Sequence, residues 1–194
     1  MTFSANGKYL ISGHYEGVQL WRVQDGEEIA RLEADCVWCL AVSKDNNWIA
    51  AGTFWGYVIV WDANTHKQKY CLKTKAVYGL DFSPDAARLV AASNDSTATI
   101  WDIGTGDEVR KLVHEDWVRA TKYSPEGNRI ATATSHHVRV WDSEDGRLMH
   151  EIQVSWSYPT GLFWVYNLLF VVSEDKVWEI KGTTVLEWST PESK

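Results

Sequence analysis

Four tryptophans, Trp21, Trp61, Trp101 and Trp141, stand at intervals of 40 in a chain of 194 residues. A fixed period of that length restricts the fold to units that stack on one another. Other columns keep step with the tryptophans. Leu32, Leu72, Leu112 and Ile152 hold the same period, and Ser43 and Ser83 are matched by Ser124 one residue late and Ser4 one residue early. A unit of this size cannot bury its apolar surface alone, so its neighbours must cover it.

Within a unit the apolar residues fall into four short runs divided by turn residues. Residues 76–115 read "AVYGLDFS", "RLVAAS", "TATIWDI" and "EVRKLV". Such β-branched and aromatic runs are strands. The segments "SPDA", "SPEGN", "SANG", "TGD" and "EDG" supply the Pro, Gly and Asn of tight turns between them. No segment repeats apolar residues at spacings of three and four over a helical length, so helices are not expected. The expectation is an all-β chain in which each unit is a four-stranded antiparallel meander.

The order "FSPD", "VAAS", "IWD" at this period resembles the WD-repeat family. The wording of the repeats, notably "DWVRATKYSPEGNRIATAT", is most similar to fungal members. The resemblance implies a β-propeller with one blade per unit, at approximately 1–35, 36–75, 76–115, 116–155 and 156–194, forming a single domain over 1–194. The fifth blade is degenerate, with Ile180 nearest the tryptophan slot, and the first carries Trp21-Arg22 where the others have Trp61-Asp62, Trp101-Asp102 and Trp141-Asp142. A regular propeller of this family closes with about seven blades, so five imply an incomplete, open propeller. Its end sheets then offer apolar residues to the gap, drawn from Leu10, Ile11, Val18 and Leu20 at one end and Phe170, Val171, Val172, Val177 and Ile180 at the other. Such a chain is expected to associate with itself, with missing blades or with a capping partner.

The resemblance also implies a polar network in each blade, linking a loop His, a strand-two Ser or Thr, a turn Asp and the strand-three Trp. Ser93, Asp95 and Trp101 fit it in blade three, Thr53 and Trp61 in blade two, and Thr134 in blade four. The His is missing, because Asp35, Lys75, Glu115 and Ser155 stand fourteen residues after the tryptophans. Stacking is therefore expected to rest on apolar burial.

Composition narrows the function. A net charge of −7 and a pI near 5.3 argue against an electrostatic grip on nucleic acid or anionic lipid. The longest apolar stretch, 161–172, is about half a membrane span and contains Asn167, and the N-terminus lacks a signal-peptide pattern. A soluble cytoplasmic protein is expected, the nucleus remaining open. Three cysteines make no disulfide framework, and Cys36 and Cys39, three apart on a strand, point to opposite faces. No phosphate-binding loop, metalloprotease motif or nucleophile elbow appears. Neither the Ser135-His136-His137 run nor a His14–His137 pairing is supported as a catalytic or metal centre. No catalytic residue, metal or cofactor is expected.

What remains is protein binding, for which the resemblance implies the loops and strand-one starts of one face. Trp38, Tyr78 and Arg119 occupy one repeat column there, and Phe54 and Trp55 add an aromatic pair the repeat does not require. Aromatic residues and Arg dominate interface energetics. The leading expectation is a non-enzymatic protein-interaction scaffold. A detached sensor fragment of a larger fungal nucleotide-binding signalling protein is the alternative, and an enzyme a distant third.

Overall fold

The computed structural model describes residues 1–154, 159–165, 168–173, 176–181 and 184–189, and every apolar run becomes a strand. Blade one comprises Thr2–Phe3, Tyr9–His14, Gly17–Arg22 and Glu28–Leu32, and blade two Val37–Val42, Trp48–Thr53, Tyr57–Asp62 and Gln68–Lys73. Blade three comprises Val77–Phe82, Arg88–Ser93, Thr97–Asp102 and Glu108–Val113, and blade four Ala120–Tyr123, Arg129–Ala133, His137–Asp142 and Leu148–Gln153. Blade five comprises Pro159–Val165, Leu168–Ser173, Lys176–Lys181 and Thr184–Ser189. Each sheet pairs its strands in sequence order, all antiparallel, which short hairpin turns between strands enforce.

Two devices recur. In blades one to four the turn from strand one to strand two is folded around a buried serine, whose hydroxyl accepts the amide five residues on. Tyr9 N donates to Ser4 Oγ at 3.0 Å, Trp48 N to Ser43 Oγ at 2.9 Å, Arg88 N to Ser83 Oγ at 2.9 Å and Arg129 N to Ser124 Oγ at 3.2 Å. The Asp of each Trp-Asp pair then shapes the turn after strand three. Thr65 N donates to Asp62 Oδ1 at 2.7 Å, Thr105 N to Asp102 Oδ1 at 2.9 Å and Glu144 N to Asp142 Oδ1 at 2.9 Å. The Thr65 amide at Asp62, and the Asp145 and then the Glu144 amide at Asp142, hold these carboxyls below their usual range. Blade one, lacking this Asp, ties the same turn with Arg22, whose Nη1 lies 2.8 Å from Asp25 Oδ2 and 2.6 Å from Glu27 Oε2.

The blades stack through Trp61, Trp101 and Trp141, each of which packs on the preceding blade. Trp61 joins Ile11, Val18 and Leu20 of blade one, Trp101 joins Ala50, Val58 and Val60 of blade two, and Trp141 joins Val90, Ala98 and Ile100 of blade three. They are 2%, 4% and 7% exposed. Ile180 takes the same place in blade five, against Ala131, Val138 and Val140 of blade four. First strands pack on first strands along the inner side of the arc. Close approach there needs small residues: a Cβ on Gly52 would stand 2.5 Å from Val77 Cγ1 of the next blade.

The arc is open. Trp21 lies on the side of blade one away from blade two and is only half-buried, beside Leu10 and Phe3 on the same face. On the far side of blade five, Phe163 and Val165 are 54% and 47% exposed, with half-buried Phe170, Val172 and Val177 around them. Ile11, Val18, Leu20, Val171 and Ile180 turn instead toward the neighbouring blade and are buried, as strand alternation requires.

Candidate functional site: an aromatic chain across three blades

The polar network corrects the sequence expectation. In blade four Trp141 Nε1 donates to Thr132 Oγ1 at 2.8 Å, Thr132 Oγ1 meets His114 Nε2 at 2.8 Å, and His114 Nδ1 lies 3.0 Å from the Leu112 carbonyl. A carbonyl only accepts, so Nδ1 carries the proton and Nε2 accepts from the threonine. Burial, then the nearby Arg139 guanidinium, pushes the His114 pKa down to about 4, which keeps it neutral for this role. Blade one has a lesser version, with Trp21 Nε1 donating to Ser12 Oγ at 2.9 Å and Ser12 Oγ 2.8 Å from His14 Nε2. Blades two and three place Ala51 and Ala91 in the hydroxyl position, two residues beyond the partners of Trp61 and Trp101.

The residues expected there do other work. Thr53 Oγ1 accepts Tyr57 N at 3.0 Å, Ser93 Oγ accepts Asp95 N at 3.4 Å, and Thr134 Oγ1 accepts His137 N at 3.0 Å. Asp95 Oδ1 accepts Thr97 N at 3.0 Å. All four therefore shape the turn between strands two and three, and among the described residues none of them bonds an indole.

On the inner strands a different feature gathers. The pairing of strands one and two shifts register between Val37 and Cys39, and opposite Gly79 and Val77, leaving Trp38 and Tyr78 as bulge residues. A bulge residue leaves the ladder and re-aims its side chain. Trp38 and Tyr78 consequently meet, with ring centroids 5.2 Å apart. Phe54, on the hairpin of blade two, lies 4.8 Å from Trp38 and 5.0 Å from Trp55. At the other end Tyr78 stacks on Trp117 at 6.2 Å with planes 17° apart. The Arg119 guanidinium sits 5.7 Å from the Tyr78 ring and 5.6 Å from Trp117, and Arg119 Nε donates to Ser135 Oγ at 3.3 Å.

All five residues singled out in the sequence thus belong to one continuous chain of rings across blades two to four. Trp117, in the loop before blade four, completes it and was missed because it stands two residues outside the repeat column. Its signal was an indole in a loop. The rings remain open to solvent: Trp38 is 48%, Phe54 39%, Trp55 59% and Trp117 44% exposed. Four adjoining aromatic residues at that exposure contribute little to the core and much to a surface.

The other candidate groups among the described residues are engaged or mistuned. Cys39 is a free thiol pushed up to about 12 by burial, the wrong direction for a nucleophile. His14 is engaged by Ser12, His137 Nε2 lies 3.6 Å from Glu151 Oε1, and no group of three metal-ligating side chains occurs among the described residues.

An open arc of four-stranded antiparallel blades, stacked Trp by Trp, defines a β-propeller-type repeat protein. The family model described as "WD domain, G-beta repeat" matches residues 26–62, 66–102 and 106–142, and the chain belongs to the WD40 repeat family. It is similar to WD repeat-containing protein SL1-17 of Schistosoma mansoni, 30% identical over 68% of this chain and 46% of that protein. It also matches a ribosome biogenesis protein WDR12 homolog of Drosophila persimilis, 30% identical over 57% of this chain and 30% of that one. These relatives are animal proteins, so they lend no support to the fungal likeness. The chain spans less than half the length of either. Among solved structures, that of U3-55K superposes over 92% of this chain and 59% of its own, with a TM-score of 0.82 at 19% identity, which speaks for the fold alone. WD40 repeats generally serve as non-catalytic scaffolds for protein partners.

Proposed function

We propose that the chain is a non-enzymatic protein-interaction module that grips its partner through the aromatic chain of blades two to four. The observation that carries this is the joining of Phe54, Trp55, Trp38, Tyr78 and Trp117 into one solvent-exposed surface. Rigid aromatic residues supply large contact area with little rotamer entropy to lose, and interface hot spots are enriched in Trp, Tyr and Arg. The surface is built on inner strands clamped between blades. Lys122 Nζ of blade four lies 2.6 Å from Asp81 Oδ1 of blade three, and Tyr123 N donates to Asp81 Oδ2 at 2.8 Å. Such a frame holds the rings in place before a partner arrives, which lowers the ordering cost of binding.

A photoreactive phenylalanine analogue tests the placement. Installed in place of Trp117 and irradiated in an extract of the source organism, it is expected to yield discrete protein adducts. Installed in place of Val109, on the outermost strand of blade three and 41% exposed, it is expected to yield none. Equal labelling from both positions would show that the aromatic chain is not a preferred contact.

A further inference from the structure

The aromatic chain runs on past Phe54. Trp55 and Tyr57, on the same hairpin, wall a cavity of about 580 Å³ between blades one and two, where they face Glu16, Glu33, Asp35 and Gln68. The backbone fixes this arrangement. Cys36 N donates to the Tyr15 carbonyl at 2.7 Å, and Phe54 N donates to the Cys36 carbonyl at 3.0 Å. The loop bearing Glu33 and Asp35 is therefore tied on one side to the hairpin bearing Glu16 and on the other to the hairpin bearing Trp55.

The charge in this groove has one sign. All three carboxylates are exposed, and no lysine or arginine lines the cavity. Arg31, which feels the charge of Glu16, is held by Glu28 through Nη2 at 3.0 Å. At the opposite end of the same surface the chain lays its own guanidinium, Arg119, against Tyr78 and Trp117. The Trp55 end likewise has a Trp and a Tyr ring, with three carboxylates, and among the described residues no lysine or arginine lines it.

We propose that this groove receives an arginine side chain from a basic peptide segment of the partner, with the rest of the segment crossing Phe54 and Trp38. The guanidinium plane stacks on Trp55 and Tyr57 while its N–H groups point to Glu16, Glu33 and Asp35. A guanidinium suits both halves of the site, since it stacks on aromatic faces and donates two parallel hydrogen bonds to a carboxylate. An acidic segment or an anionic lipid surface is repelled by the same three carboxylates. This assignment rests on the interaction-module reading and adds the chemistry of the occupant.

The test uses fluorescein-labelled hexa-arginine, with hexa-glutamate as its counterpart, in anisotropy titrations of the whole chain at physiological ionic strength. Hexa-arginine is expected to bind and hexa-glutamate not. The double variant Glu33→Gln/Asp35→Asn is expected to weaken binding about tenfold or more, as loss of charge-assisted hydrogen bonds does, and Trp55→Ala by several-fold. The charge-matched control Asp107→Asn/Glu126→Gln, on blades three and four, is expected to change it less than about twofold, because only diffuse attraction is lost. The melting temperature of each variant is compared with the parent's, so that unfolding is not mistaken for lost binding. Equal weakening by the two double variants, or no binding by the parent chain, would overturn the proposal. Absence of binding alongside adducts at position 117 sinks the arginine site alone, whereas absence of adducts sinks the interaction surface itself.

Discussion

Replacing Trp141 by Ala is expected to cost about 3–5 kcal/mol of unfolding free energy, the loss typical of a deleted core indole, whereas Trp21→Ala costs a fraction of that. The two tryptophans occupy the same column and make the same indole-to-hydroxyl bond, at 2.8 Å to Thr132 and 2.9 Å to Ser12. They differ in what lies behind them. Trp141 packs on Val90, Ala98 and Ile100 of blade three, while Trp21 faces the uncovered side of blade one. Trp141→Phe, which keeps most of the apolar area and removes the N–H donor, is expected to cost about 1–2 kcal/mol because the buried Thr132 hydroxyl, still donating to His114, loses the donor it accepts from. Denaturant unfolding of the three variants measures these values. Equal losses for Trp21→Ala and Trp141→Ala would contradict stacking of each Trp on the preceding blade.

The second large effect is a pH dependence centred on His114. Its folded-state pKa of about 4 lies below the ordinary histidine value of 6.5. The unfolded chain therefore binds a proton that the folded chain refuses across this interval. The stabilisation from neutral His114 is fully present above pH 6.5 and is lost as pH falls toward 4. From that interval, the His114 share lost by about pH 4.5 is on the order of 2–3 kcal/mol. Other groups also titrate, so the comparison is with His114→Gln, which offers a donor to Leu112 and an acceptor to Thr132 and takes up no proton. The stability gap between the two proteins is expected to narrow by that amount between pH 7 and 4.5. Parallel stability curves would show that His114 is not held neutral by the fold.

Much of the architecture is legible in the sequence because its determinants are local. The runs read as "RLVAAS" and "EVRKLV" coincide with strands Arg88–Ser93 and Glu108–Val113, and the serine and aspartate columns mark turns whose hydrogen bonds span two to five residues. What resists reading is register. The strand-two partner lies eleven residues before Trp21 and Trp141, namely Leu10 and Ile130, but twelve before Trp61 and Trp101, namely Ile49 and Leu89. Thr53 and Ser93 stand eight residues before their indoles and Thr134 seven, all in the hairpin, whereas the hydroxyls that meet an indole, Ser12 and Thr132, stand nine before theirs. One residue of loop variation likewise hides His114, which stands thirteen places after Trp101 where fourteen were counted. Trp38, Tyr78 and Arg119 were visible as a column, yet their convergence on Phe54 and Trp117 depends on bulges and on blade-to-blade distance. Neither leaves a mark in one chain's spacing.

The exposed rings of blades two to four serve either a partner or the fold. The most direct measurement combines melting temperature with adduct formation for the double variant Trp38→Ala/Tyr78→Ala, with the photoreactive analogue in place of Phe54. Trp38 is exposed and Tyr78 half-buried, both outside the core clusters, and each truncation is expected to cost about 1 kcal/mol, so the variant should melt within several degrees of the parent chain while its partner adducts disappear. A variant that unfolds well below the parent temperature, or that keeps its adducts undiminished, would contradict the assignment of this aromatic chain as the interaction surface.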